Sequence, residues 1–189
     1  MSAKTKNTDL ERIATALKSV VDRRVGGKDS VTYTKDAMIT DKDIIEYNSR
    51  LRIFGLEKFD GPCFISVINF YLSQADLKEH SAHGALIFYL DPENAERLLK
   101  AFGYPVKLDS DDEIIMSNCG ELCKSFAKQL NEELKSLGYS DLVLSDPANY
   151  QNNVLDGVEF NYDEYKMYEL SFYLWKKKTF VLEITLGSK

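Results

Sequence analysis

The chain lacks any apolar run near the roughly 20 residues a bilayer-spanning helix needs, and Met1 to Asp9 lack the apolar centre of a secretion signal. Both absences predict a cytoplasmic protein, with residues 1–9 as a flexible tail ahead of one domain over residues 10–189. Cysteine is scarce: Cys63, Cys119 and Cys123 make an odd count without framework spacing, which argues against a secreted disulfide scaffold and predicts three reduced thiols. Neither a Walker sequence nor a Gly-x-Gly-x-x-Gly loop occurs, so no nucleotide cofactor is implied. Basic residues are outnumbered, 24 Lys and Arg against 30 Asp and Glu. They are also scattered, so no nucleic-acid or anionic-membrane partner is expected. A protein or small-molecule partner fits that charge balance better.

What is present is ample apolar material for one core, at 44% of the chain. Leu10, Ile13, Ala14, Leu17, Val20 and Val21 recur at helical spacing, predicting an amphipathic helix to about Arg24 that Gly26 and Gly27 stop. Stretches 30–34 and 44–54 read as strand or irregular, and 63–72 and 85–90 as strands around a polar loop over 73–83. Asp91-Pro92 is an N-cap followed by proline at the first helical position, opening a helix that Gly103 and Pro105 end. A long helix follows from about 110–112 to Leu137. Stretches 142–144, 168–175 and 179–186 read as strands, the last two joined as a hairpin through Lys176, Lys177 and Lys178. This order predicts an α+β fold, an antiparallel sheet covered by helices.

The long helix carries the informative residues. Its apolar stripe runs through Ile115, Met116, Cys119, Leu122, Cys123, Phe126, Leu130, Leu134 and Leu137. At 100° per residue, Ser117, Glu121, Lys124 and Lys128 fall together on the outward side. Any amphipathic helix has such a side, and Glu121 with Lys124 could be no more than a surface pair worth about 0.2–0.5 kcal/mol. Cys119 and Cys123, four apart on the stripe, could in principle join His80 and His83 around a metal, but core packing accounts for them better. No Cys and His share a catalytic spacing, which sets aside a thiol nucleophile. Tyr162, Tyr165 and Tyr168, in the aromatic-rich stretch 150–175, could pack a sheet or make a sticky surface; an edge strand there would offer a route to a homodimer.

The string Ser117 to Ala127, Ser-Asn-Cys-Gly-Glu-Leu-Cys-Lys-Ser-Phe-Ala, resembles the motif helix of the CheC/CheX chemotaxis phosphatases. That family's pattern has Asp or Ser, Glu four residues on, Asn three further, and Pro after a gap of twenty-two. Ser117, Glu121 and Pro147 stand in register. The strand entering a helix over Gly84 to Pro105 and the closing hairpin also fit that layout.

The resemblance implies docking on a phosphorylated CheY-type receiver domain, with Glu contacting the regulator and Asn placing water against the aspartyl phosphate. Magnesium would belong to the partner, and this chain would need no cofactor of its own. The departure is Lys124, which stands where the family has Asn. An ammonium has three donors and no acceptor, so it cannot hold water as an amide does, although it can bind phosphate. Lys128, where the family often has Gly, adds a second cation. Two readings follow: a phosphatase acting through Glu121 and Lys124, with Ser117, Lys128 and Pro147 as partner contacts, or an interaction module that docks without turnover.

Overall fold

In the computed structural model, described here for residues 7–189 except Leu108 and Tyr162, the architecture is α+β. Four helices are α1 (Leu10–Gly26), α2 (Gln74–Lys78), α3 (Pro92–Ala101) and α4 (Asp112–Ser136). Ten strands are β1 (Tyr33–Asp43), β2 (Glu46–Tyr47), β3 (Arg50–Phe54), β4 (Phe64–Tyr71), β5 (Gly84–Leu90), β6 (Val143–Leu144), β7 (Ala148–Gln151), β8 (Asn153–Val158), β9 (Lys166–Leu174) and β10 (Lys177–Leu186). The main sheet has the order β1-β9-β10-β5-β4-β6, with β7 also paired to β4, and all its pairs are antiparallel.

The central strands β4 and β5 are buried at every residue, which is why they read as nearly unbroken apolar runs. Their alternation serves two cores. Leu86, Phe88 and Leu90 join α1, α3 and α4 on one face. Ala85, Ile87 and Tyr89 point to the other, which a small sheet of order β2-β3-β8 covers with Leu51, Ile53, Val154 and Val158. On the helical side Phe126 of α4 meets Phe88, Phe102 and Phe180 at ring separations of 6.1–6.5 Å.

Several sequence expectations are corrected. Asn7, assigned to the tail, is buried, and its Nδ2 donates to Tyr139 Oη at 2.7 Å and to the Leu186 carbonyl at 2.8 Å; residues 1–6 lie outside the described residues. The loop over 73–83 contains α2, capped where Ser73 Oγ accepts from the Asp76 N–H at 3.2 Å. The closing hairpin turns at Trp175 and Lys176, both at positive φ, and Lys177 already pairs with Leu174. Within the aromatic stretch, β9 is an inner strand between β1 and β10, and only Tyr150 and Gln151, in β7, reach an outer edge of the main sheet. Tyr168 packs into the helical core, and Tyr162 lies outside the described residues. One edge of the main sheet is β1, where Met38 and Ile39 are exposed, and the other is formed by β6 and β7. Strands β7 and β8 were not expected at all. Among the described residues no helix is long and apolar enough to cross a membrane.

Candidate functional site

Helix α4 lies over β4 with its stripe down: Cys119, Leu122, Cys123, Phe126, Leu130 and Leu134 are all buried. The two cysteines belong to this core, as their spacing on the stripe predicted. Cys123 Sγ sits 3.7 Å from the Ser66 carbonyl, and burial pushes the Cys119 thiol up to about 12, so neither is a nucleophile near neutral pH. Turning the stripe inward turns Ser117, Glu121 and Lys128 fully outward and leaves Lys124 half-buried.

The structure brings Glu121, Lys124 and Lys128 together around a shallow pocket of about 330 Å³ completed by Tyr104, Ser125 and Gln129. Ser117 stands one turn before Glu121, outside that pocket. Behind it Arg24 Nη1 donates to Ser125 Oγ at 2.7 Å, which ties α1 to the flank of α4. Burial raises the Tyr104 phenol, so its ring meets the pocket uncharged.

The other flank is built by the sheet edge. Strand β6 pairs Phe70 with Leu144, whereas β7 pairs Val67 with Ala148. The partner strand therefore holds one residue more than β4, and Asp146 with Pro147 together oppose Ile68. This is a β-bulge, placed where proline has no N–H to give to the ladder. Ser145 pins its start: the Ser145 N–H donates to the Asn69 carbonyl at 3.0 Å, and Ser145 Oγ accepts from the Asn69 N–H at 2.9 Å.

The bulge throws Asp146 outward, where Lys124 Nζ donates to its Oδ1 at 2.7 Å. The Asp146 carboxylate is 93% exposed and Lys124 25% exposed. The hydrogen bond from Lys124 lowers the Asp146 carboxyl below its usual range and, with the attraction of Glu121, raises the Lys124 ammonium. The residue that differs from the family pattern is thus already engaged by the neighbour of Pro147.

Pro147 itself meets the helix one turn earlier. A Cβ on Gly120 would fall 2.9 Å from Pro147 Cβ and 2.9 Å from Asn149 Oδ1. Gly120 is what lets the sheet edge approach the helix this closely. Further along, Gln151 Nε2 donates to Asp112 Oδ2 at 2.8 Å. The border of the exposed face is therefore Asp146, Pro147, Asn149 and Gln151 against Lys124, Gly120 and Asp112.

Sequence reading missed Gly120, Asp146, Asn149 and Tyr104. Only Gly120 carried a signal, since a glycine inside a helix costs about 1 kcal/mol relative to Ala and asks for a packing reason. His80 is exposed, with Nδ1 3.6 Å from Glu159 Oε1, while burial lowers the pKa of His83. Among the described residues no three His, Cys, Asp or Glu side chains gather to hold a metal.

No protein-family model matches the sequence, and no curated protein matches it either. Solved structures do match. The CheX-CheY complex with BeF3 and Mg2+ from Borrelia burgdorferi contributes a chain with a TM-score of 0.56 at 14% identity, covering 96% of this chain and 99% of the other. The chemotaxis protein CheX from Desulfovibrio desulfuricans matches with a TM-score of 0.54 at 11% identity, covering 94% and 97%. A CheC-like superfamily protein from Shewanella sp. PV-4 matches with a TM-score of 0.54 at 13% identity, again covering 94% and 97%. The chain has a CheC/CheX-like fold.

Proposed function

We propose that this chain docks on a phosphorylated CheY-type receiver domain through Ser117, Glu121, Lys124 and Lys128 of α4 and the adjoining Pro147 bulge, and that it holds this partner with little or no turnover of the aspartyl phosphate. The observation that carries the reading is Lys124, on the exposed face of a CheX-like fold, with its ammonium spent on Asp146. A receiver's phosphorylated pocket is acidic, so Lys124 and Lys128 complement it, and Glu121 and Ser117 set register beside them. Water attacking phosphorus must be oriented by an acceptor, which an ammonium lacks.

The neighbour with CheY in its complex supports the choice of partner. Magnesium in this reading belongs to the receiver, and the complex forms in the cytoplasm. A second copy of the chain would pair along the open edge of β1, where Met38 and Ile39 are exposed.

The test is the decay of a phosphorylated CheY-type receiver with wild-type protein, Lys124→Asn and Glu121→Ala, alongside binding measured by titration. Binding that leaves the decay rate unchanged, is weakened in Glu121→Ala and becomes productive in Lys124→Asn supports the reading. Fast decay with wild type would make the chain a phosphatase working without the amide. Absence of binding would sink the docking role.

A further inference from the structure

Of the two amides on the border of the exposed face, Gln151 is spent on Asp112, and Asn149 lies closer to the bulge. It pairs with Ser66 across the β4 ladder, and its side chain points to the helix side of the sheet. Ser66 Oγ, fully buried, donates to Asn149 Oδ1 at 2.7 Å. That bond fixes the amide plane and commits its acceptor end to the protein. The donor end, Nδ2, has no hydrogen-bond partner among the described residues, and the residue is exposed. Gly120, three residues after Ser117 and four before Lys124, leaves a notch in the helix surface that the amide fills: a Cβ there would fall 3.0 Å from Nδ2. An exposed amide ordinarily turns freely in water. This one is anchored at one end and carries its two N–H donors over Gly120.

We infer that Asn149 is a specificity-determining contact of this surface, donating from Nδ2 to an oxyanion of the docked partner, a carboxylate or phosphoryl oxygen at the rim of the receiver's acidic pocket. The inference rests on the docking role proposed above and adds to it a residue outside the motif helix. With Lys124 held by Asp146, the pre-set donors of Asn149 meet the partner without first giving up another bond. Preorganisation of that kind adds affinity because no rotamer freedom is lost on binding.

The experiment titrates wild type, Asn149→Ala, Asn149→Asp and Glu121→Ala with a CheY-type receiver, either treated with beryllofluoride and Mg2+ or untreated. Thermal unfolding of each variant checks its fold. Asn149→Ala is expected to weaken binding of the treated receiver about fivefold, the loss of one hydrogen bond. Asn149→Asp, similar in shape but repelling an oxyanion, is expected to weaken it more than tenfold. Neither should alter the weak binding of the untreated receiver. If Glu121→Ala weakens binding while both Asn149 variants bind like wild type, the inference falls and the docking role stands. If wild type does not bind the treated receiver, both fall.

Discussion

Lys124 Nζ lies 2.7 Å from Asp146 Oδ1, and Asp146 meets it from the bulge that opposes Asp146 and Pro147 to Ile68. The pair is exposed, so it adds little to folding. Its weight is in recognition, because it sets what the ammonium must leave before it can meet a partner's anion.

Replacing Asp146 by Asn should therefore free Lys124. Affinity for a phosphorylated receiver is expected to rise about two- to fivefold, the range of an exposed ion pair, while the thermal midpoint stays at the wild-type value. Titration at low and moderate salt reads this directly. Unchanged or weaker binding would mean that Lys124 does not face the partner.

Gly120 offers a test of the packing between helix and bulge. Alanine there gains about 1 kcal/mol of helix propensity, yet its Cβ would fall 2.9 Å from Pro147 Cβ, a ring carbon that cannot swing aside. The net expectation is a loss of about 1–2 kcal/mol in denaturant unfolding. A gain in stability would show that the bulge yields at no cost.

Acid should act through a different region. Glu169 is partly buried, which alone would raise its pKa. Hydrogen bonds from Lys42 and Lys58 outweigh that and hold it at about 2, against an ordinary value of 4.5. Lys58 also bonds Glu183, whose other oxygen receives the buried Tyr89 hydroxyl. A depressed carboxyl contributes stability that is fully present above pH 4.5 and is lost as the pH falls from there towards 2, since the unfolded chain takes up the proton first. Unfolding free energies measured across that window should fall with a slope that Glu169→Gln reduces. An equal slope in the variant would show that other carboxylates control acid unfolding.

How much of this was legible beforehand follows from burial. Strands β4 and β5 and the stripe of α4 announced themselves because both faces of the strands and one face of the helix are apolar. Asp91 behaved as the sequence implied, accepting from the Glu93 N–H at 3.3 Å. Strand β1 was caught only at its start, Tyr33 and Thr34, since its Lys, Asp and Thr residues lie on an edge that is mostly wet and no alternation survives there. The step from β7 in the main sheet to β8 in the small one was missed although Asn152 between them, at positive φ, is a residue type that accepts such a bend. The motif helix and Pro147 could be located by spacing. The Asp146 contact could not, because it depends on a one-residue mismatch between strands far apart in sequence.

That mismatch gives the chain a form of vernier. Helix α4 packs across β4, and β6 and β7 pair along the edge of the same strand, so β4 is the scale against which both halves of the surface are read. Segment 137–142, which turns from the helix towards β6, is itself tied back to α4, where Asn131 Nδ2 donates to the Leu142 carbonyl at 2.9 Å and Asn131 Oδ1 accepts from the Leu142 N–H at 3.2 Å. Removing one residue between Leu144 and Ala148 would erase the offset and draw the carboxylate back into the ladder. It would leave the ammonium of Lys124 without that carboxylate, beside Glu121 and Lys128, so that a single deletion in the bulge would reset the charge a partner meets with no change in the sequence of the helix.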